Sequence, residues 1–180
     1  MKRKLQIGVM GSAADLGYAK DVEVLAFATG IEIAKRGYLT VFGAEKDVDS
    51  LSTAASRGAR SAGGLTVGIT YGKGLQVFEE PDITIATGLE RGGGREFTLV
   101  LSCDAIITIG GGSGTLTEMV IAYQANIPII GLKGTAGWTD QLVGRFIDGR
   151  ERLKVLSATT PAEAVDLAET AISERLMAVA

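Results

Sequence analysis

The chain has 180 residues, 46% of them apolar and 22% charged, with a mean hydropathy of +0.25; this is the composition of a compact protein rich in buried strand and excludes a disordered chain. A formal net charge of −3 and an isoelectric point near 5.1 give no general attraction to a nucleic-acid backbone or an anionic membrane surface, so a small anionic ligand has to be held locally. Histidine is absent and Cys103 is the single cysteine, which removes Ser-His and Cys-His nucleophiles, an intrachain disulfide and any expectation of a metal site; catalysis must run on carboxylates, arginines, hydroxyls and backbone amides.

In chain order, residues 5–10 read as the first strand. That run is too short and too glycine-interrupted to be the apolar core of a signal peptide behind the basic Met1-Lys-Arg-Lys, and no stretch of about 18 apolar residues follows to span a bilayer, so a cytoplasmic location without membrane partners is expected. Residues 22–36 place Val22, Leu25, Ala26, Ile33 and Ala34 at helical spacing and stop at Gly37, as a helix does. Strands are then predicted at 39–42, 65–69, 83–87, 105–109, 127–132 and 153–156, and helices at 51–62, 97–102, 116–125, 139–146 and 162–177. Strands 105–109 and 127–132 are apolar at nearly every position, which implies helices on both faces. The expected fold is α/β: a doubly wound, mostly parallel sheet of about seven strands, Rossmann-like, in one domain over residues 1–180.

In such sheets ligands sit beyond the carboxyl ends of the strands. Glycines gather there: Gly11 before Ser12, Gly43, Gly72 and Gly74, Gly92 to Gly94, and Gly110 to Gly114. Turn geometry alone accounts for any one of them, and a shared ligand accounts for all five sets more simply. The fullest is Ala105-Ile-Ile-Thr-Ile-Gly-Gly-Gly-Ser-Gly-Thr-Leu-Thr-Glu118, an apolar strand running through glycines into a helix that carries a carboxylate in its first turn. Bare glycine amides, the hydroxyls of Ser113 and Thr115 and the positive end of the helix dipole suit a phosphate. The phosphate or nucleotide candidates are Gly11, Ser12, Gly111, Gly112, Ser113, Gly114 and Thr115. Glu118, about one turn or roughly 5 Å further along the axis, is a candidate for chemistry on the sugar, although Thr115-Leu-Thr-Glu118 also fits a capping box.

Arg95 opens a helix directly after three glycines, where the dipole disfavours a cation by up to about 1 kcal/mol. Two readings stand, a solvated arginine or a planar fork on the phosphate or ribose. Trp138 either walls a pocket or anchors a core or interface. Cys103 reads as a small buried residue.

The motif Gly110-Gly-Gly-Ser-Gly-Thr-Leu-Thr-Glu118 resembles the hallmark P-G-G-x-G-T-x-x-E of the lonely-guy (LOG), or "lysine decarboxylase"-labelled, Rossmann-like superfamily, and Arg95 falls where that family carries its arginine. Ile7-Gly-Val-Met-Gly-Ser12, Arg57-Gly-Ala-Arg-Ser-Ala-Gly-Gly-Leu-Thr-Val-Gly-Ile69, Ala86-Thr-Gly-Leu89 and Gly134-Thr-Ala-Gly-Trp-Thr-Asp140 extend the likeness over nearly the whole chain, toward the bacterial and archaeal branch close to the molybdenum cofactor carrier proteins. No pyridoxal-phosphate lysine motif supports the decarboxylase label. The resemblance implies a ligand such as a nucleoside monophosphate, with Gly111, Gly112, Gly114 and Thr115 on the phosphate and Arg95 and Glu118 as catalytic residues beside the ribose. Two activities follow as expectations: a phosphoribohydrolase that cleaves the N-glycosidic bond, or a carrier of a phosphorylated cofactor such as molybdenum cofactor. No cofactor is required for the first. The family also implies a homodimer or larger homo-oligomer, with residues 116–123 as the expected seam. Two departures stand out. Gly110 replaces the hallmark proline, and Glu45, Asp47 and Asp49 put acidic charge where relatives carry a second glycine-rich loop.

Overall fold

A computed structural model of the chain describes residues 3–179; Met1 and Lys2 of the basic start, and Ala180, lie outside the described residues. Seven strands form one all-parallel sheet: β1 (Gln6–Gly11), β2 (Leu39–Gly43), β3 (Thr66–Thr70), β4 (Ile83–Ala86), β5 (Ala105–Ile109), β6 (Ile129–Leu132) and β7 (Leu156–Ala158), in the order β4-β3-β2-β1-β5-β6-β7. The order reverses at β1, which pairs with β2 on one side and, in the register Ile7↔Ala105 to Gly11↔Ile109, with β5 on the other. The α/β doubly wound expectation therefore holds, and the switch point of the sheet lies between β1 and β5.

The helices are α1 (Lys20–Lys35), α2 (Leu51–Ser61), α3 (Arg95–Leu101), α4 (Ser113–Gln124), α5 (Gly137–Leu142) and α6 (Pro161–Val179). Successive strand residues point to opposite faces, so an apolar strand feeds two cores. Ile7, Val9, Ala105, Ile107 and Ile109 pack under α1, α2 and α6, against Ala26, Ile33, Leu51, Val165 and Ala168. Met10, Val41, Ile69 and Ile106 pack on the other face with Leu99 and Val100 of α3 and Met119, Ala122 and Tyr123 of α4. Helix α4 thus spends most of the expected subunit seam on the core: Met119, Ile121, Ala122 and Tyr123 are buried, and Val120 is the exposed large apolar residue of that stretch.

Element ends shift by up to four residues from the sequence reading: α3 and α4 start two and three residues early, at Arg95 and Ser113, β6 starts two late, at Ile129, and two further ends have a visible cause. Helix α5 stops at Leu142 and not at 146, because Val143 turns to extended backbone (φ −53°, ψ 133°) and Gly144 takes a positive φ. The last strand lies at Leu156–Ala158, starting three residues and ending two residues later than predicted, because Lys154 is taken by an antiparallel bridge to Phe146.

Helices α1 and α2 touch backbone to backbone. A Cβ at Gly58 would lie 1.8 Å from the Phe27 carbonyl oxygen, and one at Gly30 1.8 Å from that of Ala55. Only glycine permits this crossing. Gly58→Ala gains about 1 kcal/mol of helix propensity but forces the two helices apart, and a net loss of about 2 kcal/mol or more is expected in urea or thermal unfolding. An unchanged or raised midpoint would show that the crossing is not tight.

Candidate functional site

The carboxyl ends of β1, β2 and β5 and the first turns of α3 and α4 enclose a cavity of about 390 Å³, lined among others by Gly11, Arg95, Gly112, Ser113, Gly114, Thr115 and Glu118. Seven of the nine sequence candidates therefore share one hollow. The other two, Ser12 and Gly111, line a second hollow of about 430 Å³ beside it, with Leu16 and Gly112 contributing to both. Leu16 ends a single 3-10 turn, Ala14–Leu16, and reaches close enough to Gly112 that a Cβ there would meet its Cδ1 at 2.7 Å.

The glycine-rich loop is fixed on one side and open on the other. Gly110 N–H donates to Thr135 Oγ1 at 2.8 Å and Gly111 N–H to Ser12 Oγ at 2.7 Å. The carbonyls of Gly110 and Gly111 accept from Thr139 and Trp138 at the start of α5, both at 3.0 Å. Trp138 thereby sits half-buried in α5 and lines neither hollow. What remains is the start of α4 itself. It begins at Ser113 behind Gly112, with no side-chain cap, so the N–H groups of Ser113, Gly114 and Thr115 have no intrahelical acceptor, and these three residues line the cavity. Because the helix starts two residues before Thr115, that threonine is not the cap. The capping-box alternative fails, and Glu118 stands in the second turn rather than the first.

Arg95 is 4% exposed, which overturns the solvated reading. Its guanidinium lies against Gly43, where a Cβ would come 2.2 Å from Nη1. Its Nη2 donates to Glu45 Oε1 at 3.0 Å and stands 3.4 Å from Glu96 Oε1, while Nε is buried with no hydrogen-bond partner among the described residues. Glu96, itself 4% exposed, accepts the Gly92 N–H at 3.0 Å. Arg91 reaches the other oxygen of Glu45, its Nε at 3.1 Å. These carboxylates supply the compensation that a cation at a helix start requires. The acidic loop divides its duties. Asp49 turns away to chelate Arg57, which also holds Glu23 and Glu79, and only Glu45 enters the cavity.

Glu118 is buried in the same hollow. Loss of water is the main cause that lifts its carboxyl to about 8, with Glu96 and Glu45 adding to it and Arg95 opposing. Burial thus favours its neutral form well above the usual carboxylate range. The residues that sequence reading passed over are Asp15, Arg91 and Glu96. A signal for two of them was present, since Arg91 and Glu96 bracket the three glycines and Arg95. Cys103 is buried as expected, its thiol pushed up and donating to the Leu99 carbonyl at 3.2 Å, so it takes no part. Among the described residues no three His, Cys, Asp or Glu side chains are arranged to hold a metal ion, and no helix is long and apolar enough to cross a membrane.

Two outcomes follow. The folded protein keeps the Glu118 proton up to about pH 8 whereas an exposed glutamate gives it up at 4.5, so stability falls as pH rises through that window. Glu118→Gln removes the penalty, and at pH above about 8 the variant is expected to be more stable than the native protein by on the order of a few kcal/mol, the difference vanishing toward acid. Parallel pH series of thermal melts check this, and two parallel curves would refute it. Gly43→Ala is expected to displace the Arg95 guanidinium from Glu45, lowering the unfolding midpoint and, in protein that is still folded, weakening binding of a phosphorylated ligand by about tenfold or more in calorimetry.

The family model described as the SLOG cluster4 family matches residues 4–165. The crystal structure of TM1055 superposes with a TM-score of 0.81 at 30% identity, covering 93% of this chain and 99% of that one. The molybdenum cofactor binding protein from the phototrophic bacterium Rippkaea orientalis gives 0.80 at 31% identity, over 96% and 99% of the two chains. The molybdenum cofactor carrier protein from Chlamydomonas reinhardtii gives 0.79 at 30%, over 95% and 99%. With a family match over most of its length and a fold shared with these proteins, the chain belongs to the SLOG cluster4 family, within the LOG-like Rossmann superfamily.

Proposed function

We propose that this protein binds a small phosphorylated ligand, with its phosphate on the uncapped start of α4 and the remainder of the molecule between Arg95 and Glu118. One observation carries the reading: the uncapped first turn of α4, Ser113 to Thr115, lines a cavity of about 390 Å³, within the size of small-ligand sites. Backbone donors at the positive end of a helix dipole are the chemistry that holds a phosphate without lysine. Ser12 serves from behind, by fixing Gly111.

The carrier form is supported by relatives named for binding or carrying molybdenum cofactor at 30% and 31% identity. The hydrolytic form is supported by Glu118 and Arg95, a neutral acid and a buried guanidinium with an unspent Nε donor in one cavity. In that form water attacks the anomeric carbon of a nucleoside monophosphate, the N-glycosidic bond breaks toward the base, Glu118 protonates the departing nitrogen, and the attacking water returns the proton. Free base and ribose 5-phosphate leave.

Self-association and a cytoplasmic location belong to the same proposal. Phe97 and Leu101 on α3 and Val120 on α4 leave apolar surface exposed on a helix pair whose first turns line the cavity, a face suited to a second copy. A monomer in light scattering counts against it.

Purified protein incubated with AMP, GMP and CMP is expected to release base if the hydrolytic form is right, and Glu118→Gln to slow release by about a hundredfold or more. An intact phosphorylated cofactor recovered by mass spectrometry from protein that cleaves none of the three identifies the carrier. Protein that neither binds nor copurifies with any phosphorylated compound sinks the proposal.

A further inference from the structure

Arg91 and Arg95 are the cations lining the main cavity among the described residues, and one carboxylate holds both. Glu45 accepts from Arg95 Nη2 with Oε1, at 3.0 Å, and from Arg91 Nε with Oε2, at 3.1 Å. Its side chain is only 11% exposed, so this is no loose surface pair. Two guanidinium groups converging on two oxygens is the arrangement by which proteins grip phosphate, and here a side chain of the protein fills it. Neither arginine needs Glu45 in order to stay charged, and Arg95 has Glu96 as a second counter-ion. Asp15, Glu96 and Glu118 also line the cavity, and Glu45 is the carboxylate that bonds both of its cations.

We propose that Glu45 is a specificity-determining residue: a tethered anion that occupies the Arg91 and Arg95 forks, so that the cavity accepts a ligand with one phosphate, seated on α4, and turns away one that carries a second anionic group at its opposite end. This rests on the phosphate site of the previous section. Physically it is rejection by a resident like charge, through repulsion of the unwanted ligand or through the need to displace Glu45. What the far end favours is a part rich in hydrogen-bond donors, such as sugar hydroxyls or ring amino groups, which the carboxylates can accept.

The test titrates ribose 5-phosphate and ribose 1,5-bisphosphate into the native protein, Glu45→Gln and Glu45→Asp by calorimetry, with thermal melts as the folding control. The native protein is expected to bind the monophosphate more tightly by about tenfold or more, Glu45→Gln to lose or invert that preference by gaining bisphosphate affinity, and Glu45→Asp, which keeps the charge, to retain it. An unchanged ratio in folded Glu45→Gln overturns the inference and leaves the phosphate site standing. So does loss of both ligands in that folded variant, which would make Glu45 a support for Arg95 alone. Native protein that binds the two compounds equally refutes it whatever the variants do. Native protein that binds neither refutes the phosphate site as well.

Discussion

A guanidinium taken out of water is the fact around which the ligand-facing edge of this molecule is arranged. Arg95 cannot give up its proton, so its burial has to be offset by anions held at hydrogen-bond range. Glu45 arrives from the loop after β2 and Glu96 from the next position of α3, while Gly43 leaves out the side chain that would occupy the same space. A third carboxyl in that neighbourhood cannot also ionise cheaply. Glu118 holds its proton well above the usual carboxylate range because a dry surround, with Glu96 and Glu45 adding to it, outweighs the one guanidinium in reach. The state of the acid is thus set first by its burial and then by the arginine's own counter-ions, which come from other elements of the chain.

The sheet makes this assembly possible. Because strand order reverses between β1 and β5, α1 leaves toward one face and α4 toward the other, and the crevice between them exposes the start of α4. The neighbouring loop is then immobilised by exchange rather than by ligand: hydroxyls of Ser12 and Thr135 take its amides, and α5 takes its carbonyls. The open amides of α4 are therefore presented by a frame that is already rigid, which spares a ligand the cost of ordering it.

Much of this was legible in the sequence, and for physical reasons. Runs such as Ala105–Ile109 that are apolar on both faces have few places to go except a covered parallel sheet, and β5 matches its predicted span to the residue. The glycine-rich loop and Arg95 announced themselves through local chemistry. Less legible were features that depend on distant partners. The start of α4 was misplaced because Gly112 caps by conformation, with no side chain to reveal it. Glu45 was visible as an acidic intruder, but its bond to Arg95 spans 50 positions and no local pattern carries that information. The acidity of Glu118 depends on the same long-range packing. Asp49, equally conspicuous in sequence, belongs to the Arg57 cluster and has no part in the site.

A carboxyl that stays neutral inside a hollow suited to anions couples occupancy to proton exchange. A guest that brings hydrogen-bond donors or positive charge toward Glu118 drives it to ionise and expels a proton into the buffer, whereas one that brings negative charge keeps it neutral. The heat of binding then changes with the ionisation enthalpy of the buffer in the first case and not in the second. The orientation of an unidentified guest is in this way written in the number of protons released, before any complex is seen.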